Sequence, residues 1–163
     1  MTGRLVSNTG PVIALALIDR IDILQKLFQQ VSIPEAVHKE LLEGGSSGYG
    51  LPSYNKAIWI QVLPLSSALD PLLQTVLDYG EASVIQLARE MKADYVLIDE
   101  RKGRKIAREI FSLKVIGTAR ILVEAKRKGI IDSVGDALNR MRDSGYRLHD
   151  NIIRYALKES KEL

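Results

Sequence analysis

Apolar residues fall along this chain in two alternating rhythms, short continuous runs and stretches recurring every three or four positions, which predict strands separated by helices. Residues 4–8 read as a first strand, and Pro11, whose missing N–H suits a first helical turn, opens a helix running through Ile18. Asp19 or Asp22 caps a second helix with Ile21, Leu24, Leu27 and Phe28 at helical spacing. Val31-Ser32-Ile33 is a brief strand. Pro34 opens a third helix with Val37, Leu41 and Leu42 on one side, and another strand follows near Trp59–Leu63.

A helix runs from Pro71 to about Leu77 and is broken at Tyr79-Gly80. The next, from Glu81 to Met91, carries Ala82, Ile85, Leu87 and Ala88 inward. Tyr95-Val96-Leu97-Ile98 is the clearest strand, an unbroken apolar run of the kind buried on both faces of a parallel sheet. It ends at Asp99, and a helix resumes through Phe111 with Ile106, Ala107, Ile110 and Phe111 buried. A strand at Lys114–Ile116 precedes Gly117 and Thr118, which caps a helix ending near Gly129. Two last helices, roughly 132–143 and 149–160, are separated by Ser144-Gly145. Gly44 to Gly50 has the composition of a mobile loop and lacks the Gly-Lys-Ser/Thr ending of a phosphate-binding loop. Alternation of this kind belongs to the α/β class, a parallel sheet covered on both faces, where ligands gather outside the carboxyl ends of the strands.

With 163 residues, 46% of them hydrophobic and 26% charged, the chain matches one globular domain spanning 1–163. It contains no cysteine and only two histidines, which excludes disulfides, thiolate zinc sites, iron–sulfur clusters and cysteine nucleophiles. Any metal ligands are therefore oxygens, and His38 and His149 read as surface residues. The longest apolar run, Gly10–Ile18, is far short of the ~20 residues of a membrane span. Arg4 and the triplet Ala14-Leu15-Ala16 imitate a secretory signal, but Ser7-Asn8-Thr9-Gly10-Pro11 interrupts the apolar stretch, so a cytoplasmic protein is expected. A net charge of +3 permits a nucleic-acid partner only where the cations cluster.

The predicted strand ends deliver Asn8 and Thr9, Asp99 and Glu100, and Gly117 and Thr118. Glu81 starts a helix beside them, and Glu40 lies on the helix after Pro34, just before two leucines expected to face the core. Converging carboxylates repel unless a cation offsets them, and magnesium takes one or two carboxylates together with water and substrate phosphate. One ion or two in that setting would activate water against a phosphodiester. Singly, each residue has a plainer role as a helix cap, a first-turn acid or a solvated position. Arg101, Lys102, Lys105 and Arg108 stand outward on the helix after Asp99, beside the acids, as a phosphate backbone requires. Lys126-Arg127-Lys128 reads as a cationic helix end.

The segments Val6-Ser7-Asn8-Thr9-Gly10-Pro11, Val37-His38-Lys39-Glu40-Leu41-Leu42, Gly80-Glu81-Ala82 and Leu97-Ile98-Asp99-Glu100-Arg101-Lys102-Gly103-Arg104 resemble, in order and spacing, the PIN-domain family. The likeness is nearest to VapC-like toxin ribonucleases and a prokaryotic PIN subfamily with the same Asp-Glu-Arg-Lys-Gly-Arg string. It implies a three-layer α/β/α sandwich with a parallel five-stranded sheet, and Mg²⁺- or Mn²⁺-dependent cleavage of single-stranded RNA. It implies catalytic roles for Asn8, Thr9, Glu40, Glu81 and Asp99, with Asn8, Glu40, Glu81 and Asp99 as metal ligands. A small antitoxin protein and a homodimer built on an exposed apolar helix pair are implied as partners. Family nucleases typically carry aspartate where this chain has Asn8, whose amide oxygen coordinates without charge and cannot act as a base. Weaker metal binding, by one ion rather than two, is the expected consequence. Two alternatives stay open: a PIN-fold module that binds RNA or a protein without cleaving, and a phosphoacceptor receiver-type domain, which needs a pair of acids on the first strand that Asn8 does not supply.

Overall fold

Five strands, all parallel, are hydrogen-bonded in the order β3-β2-β1-β4-β5. They are β1 (Arg4–Ser7), β2 (Gln30–Pro34), β3 (Gln61–Leu63), β4 (Tyr95–Leu97) and β5 (Val115–Ile116). The computed structural model describes residues 1–44 and 51–163, so most of the glycine-rich loop expected at 44–50 lies outside the described residues.

Ten helices flank the sheet among the described residues, giving the expected three-layer α/β/α sandwich. The helices are α1 (Thr9–Leu17), α2 (Asp22–Leu27), α3 (Glu35–Leu42), α4 (Leu51–Lys56) and α5 (Pro71–Val76), then α6 (Tyr79–Met91), α7 (Arg101–Glu109), α8 (Thr118–Arg127), α9 (Val134–Asp143) and α10 (Asp150–Glu159). Helix α6 packs on β1, β2 and β4 and carries α3 on its flank, while α8 contacts α2, α9 and α10. Leu5, Val6, Ile33, Val96, Leu97 and Ile98 are fully buried between the layers. Each such side chain contributes about 1.5–3 kcal/mol on leaving water.

Several local expectations are corrected. Helix α1 begins at Thr9, before Pro11, and α6 begins at Tyr79, because Asp78 caps it by accepting from the Glu81 N–H (2.8 Å) and Gly80 lies within its first turn. Neither Asp19 nor Asp22 caps α2: Asp22 is its first residue and is ion-paired to Arg20 (3.0 Å) and Lys26 (3.1 Å). Leu42 is 49% exposed, since the buried stripe of α3 is Val37 and Leu41, four positions apart, and the next residue turns about 100° away. Ile110, the C-cap of α7, is 52% exposed, while Phe111 lies under the Arg89 guanidinium (4.4 Å). Helix α4, between the glycine-rich stretch and β3, has no counterpart among the predicted elements.

Strand order reverses beside β1, which pairs with β2 on one side and with β4, distant in sequence, on the other. In open parallel sheets the crevice at such a switch, beyond the carboxyl ends of the strands, is where ligands bind.

Candidate functional site

The polar residues Ser7, Asn8 and Thr9, which end β1 and begin α1, are all buried at the carboxyl edge of the sheet. Asn8 continues the ladder with its N–H donating to Leu97 O (3.0 Å), and although it holds the N-cap position of α1, its side chain makes no capping bond. Asn8 is one of the residues that line the cleft. Thr9 donates its hydroxyl to Oε2 of Glu40 (2.9 Å), tying α1 to α3. Gly80 makes this placement feasible, because a Cβ there would run into Oε1 of Glu40.

Glu81 is half-buried at the start of α6. Burial first, then hydrogen bonding and repulsion from Asp78, then Glu100, push its carboxyl up to about 8. Glu40 is also raised, chiefly by burial and further by the charges of Asp78 and Glu43, against the lowering effect of the Thr9 hydroxyl. Acids are thus crowded in partly desolvated surroundings without a compensating positive charge among their nearest partners.

Asp99 follows β4. It does not cap α7, whose N-cap is Glu100, but accepts from the N–H of Thr118 (2.7 Å) and from the hydroxyls of Thr118 and Tyr146. Thr118, expected to be a cap, is instead the first residue of α8 after the N-cap Gly117, and both its donors serve Asp99. Arg104 reaches back from α7 to donate to Ile98 O (2.8 Å), the carbonyl just before Asp99.

Asn8, Thr9, Glu40, Glu81, Asp99, Arg104 and Tyr146 line one open cleft of about 1150 Å³. Its lining combines the acids Glu40, Asp78, Glu81, Asp99, Glu100 and Glu109, with Asn8 and Thr9, and the bases Arg101, Arg104, Lys105, Arg108 and Arg147. Lys102, expected with the basic group, is not among the lining residues. His149 is exposed, as expected of a surface residue, and also lines the cleft, its Nδ1 accepting from Asn151 N–H (3.0 Å) at the start of α10. Asp78 was missed as a site residue, although the spacing Asp78-x-x-Glu81 is a helix-start signature that signals it. Tyr146 carries no comparable signal, because its partner Asp99 belongs to a remote segment.

The donor set is all oxygen and largely anionic, which fits a hard divalent cation. Among the described residues no three carboxylate or imidazole groups stand close enough to enclose an ion. The residues therefore fit a largely hydrated ion resting on one or two carboxylates, the usual manner of magnesium, and do not fit a dry protein cage. Among the described residues no helix is long and apolar enough to cross a membrane. A family model described as a PIN domain matches residues 4–162. No curated protein matches the chain.

Proposed function

The chain belongs to the PIN-domain family and carries its nuclease-type fold, and from that premise we propose that it is a divalent-metal-dependent ribonuclease acting on single-stranded RNA. The observation that carries the reading is the cleft itself, in which carboxylates from three separated segments, joined by Asn8 from a fourth, share one lining with arginine and lysine. In this reading Mg²⁺ or Mn²⁺ would rest, largely hydrated, on one or two of the carboxylates Glu40, Glu81 and Asp99, with the Asn8 amide beside them. A bound ion supplies Lewis-acid polarisation of the phosphodiester and lowers the pKa of a coordinated water. Thr9 orients Glu40 through its hydroxyl, and Thr118 orients Asp99. Arg101, Lys105 and Arg108 bind the phosphate backbone without reading bases. Asn8 adds an oxygen but no charge, so the metal is held more weakly than by an aspartate.

Short single-stranded RNA incubated with Mg²⁺ or Mn²⁺ is expected to be cleaved, with activity abolished in Asp99→Asn and strengthened in Asn8→Asp. Absence of cleavage even by Asn8→Asp would overturn the catalytic reading. A second reading, a binding module on the same scaffold, is favoured by the neutral Asn8 and by the basic residues of the cleft, and is supported if RNA binds without metal and is not cut under either ion. The proposal extends to one domain over residues 1–163, to a cytoplasmic toxin neutralised by a small antitoxin protein that covers the acidic residues of the cleft, and to a homodimer. A monomeric sedimentation profile at micromolar concentration counts against the last.

A further inference from the structure

Tyr146 reaches Asp99 from the short connection between α9 and α10. Helix α9 ends in a left-handed Gly145 (φ +99°). The turn closes with the Gly145 N–H donating to Arg142 O (3.0 Å) and the Tyr146 N–H donating to Met141 O (2.9 Å). This pairing is a Schellman terminus, in which the residue after the glycine also packs back on the helix. Tyr146 is packed against the hydrophobic core to which Leu138 and Met141 belong, and the backbone that carries the phenol is set by local bonds.

The hydroxyl of Tyr146 donates to Oδ2 of Asp99, the oxygen that also accepts the Thr118 hydroxyl, while Oδ1 accepts the Thr118 N–H. A carboxylate offers about four acceptor positions. Three are filled by protein donors, two of them on Oδ2, and the free position belongs to Oδ1. Thr118 supplies its two donors from the start of α8, whereas Tyr146 alone comes from the α9–α10 connection. Gly10 gives the phenol its space, since a Cβ there would stand 3.0 Å from the Tyr146 oxygen.

Divalent cations respond differently to such an arrangement. Calcium tolerates six to eight oxygens and readily takes both oxygens of one carboxylate, whereas magnesium and manganese favour octahedral sites built from single oxygens. We propose that Tyr146 is a positioning residue that holds Asp99 to one-oxygen coordination and thereby sets the preference of the cleft for a small divalent cation over calcium. The proposal rests on the reading of Asp99 as a metal ligand.

The test titrates the full chain calorimetrically with Mn²⁺ alone and with Ca²⁺ alone, comparing the unsubstituted protein with Tyr146→Phe, Gly10→Ala and Asp99→Asn. In Tyr146→Phe the Ca²⁺ affinity is expected to rise about tenfold, the scale of one charge-assisted contact, with Mn²⁺ affinity within about twofold. Gly10→Ala, which keeps the phenol but displaces it, is expected to move the Ca²⁺/Mn²⁺ ratio in the same direction, and it decides the matter should Tyr146→Phe not fold. An unchanged ratio, or equal weakening of both ions as from a merely structural role, overturns the proposal. Loss of both ions in Asp99→Asn supports the underlying reading. Mn²⁺ binding by Asp99→Asn equal to that of the unsubstituted protein removes Asp99 as a ligand, and the proposal falls with it, a result distinguishable from failure of the Tyr146 arm alone.

Discussion

Gly80 shows how one missing side chain places an acid. Glu40 stands on a different helix, and its carboxylate occupies the space that any Cβ at position 80 would take. Because Glu40 is a flexible side chain, Gly80→Ala is absorbed by moving its tip away from the Thr9 hydroxyl rather than by disturbing the backbone. Alanine within a helix is also preferred over glycine by about 0.5–1 kcal/mol. The expected outcome is therefore a melting temperature equal to or above that of the unsubstituted protein, with metal-dependent RNA cleavage reduced about tenfold or more, the scale on which misplaced groups lose rate. Cleavage unchanged in a stable Gly80→Ala protein would show that the position of Glu40 is immaterial. Gly103, inside the Asp-Glu-Arg-Lys-Gly-Arg string, has a similar part, because a Cβ there would lie 3.3 Å from Oε2 of Glu81 and equally near Ile98.

Helix α7 divides its own charges. Its buried stripe of Gly103, Ile106 and Ala107 faces the protein, and the turn of the helix then directs Arg101, Arg104, Lys105 and Arg108 to the cleft but not Lys102. Each phosphate contact on a single strand releases counterions and adds about 0.7 to the slope of log affinity against log salt. Lys105→Ala and Arg108→Ala are each expected to lower that slope by about 0.7, measured by fluorescence anisotropy on short single-stranded RNA without metal. Lys102→Ala should leave it unchanged. A loss of slope in Lys102→Ala equal to the others would mean that the RNA follows a path outside the cleft.

At the scale of the molecule, the end of the chain locks the helices that carry Tyr146. The carboxylate of Glu162 accepts from Ser133 Oγ (2.8 Å), Val134 N (2.8 Å), Gly135 N (3.0 Å) and Lys126 Nζ (3.0 Å), joining the chain end to α8 and to the start of α9. Burial by itself raises this carboxyl, but the bonds from Gly135, Lys126, Val134 and Ser133 outweigh it and lower the group to about 2. The folded value lies below the ordinary 4.5, so between the two the unfolded chain binds the proton that the folded one refuses. The stabilisation is full above pH 4.5 and is lost as the pH falls towards 2. Glu162→Gln is accordingly expected to cost about 1–2 kcal/mol at neutral pH, a fall of a few degrees in melting temperature. In urea unfolding the difference from the unsubstituted protein should shrink steadily below pH 4.5. A difference independent of pH would place the effect in packing rather than in the charge.

Periodicity and turn chemistry alone determined the alternation of strands and helices, the doubly buried run before Asp99, and the positions of Asn8, Glu81 and Asp99 at element ends. These are local properties, written in spacing and in caps. That Glu40 meets Thr9, that Asp99 anchors the start of α8, that Tyr146 completes its hydrogen bonding, and that Lys102 lies off the cleft were decided only by the tertiary structure. The reason is that a residue's own rhythm specifies which face it shares with its neighbours in sequence, whereas contacts between remote segments depend on which strands lie side by side and on how each helix is rotated against the sheet.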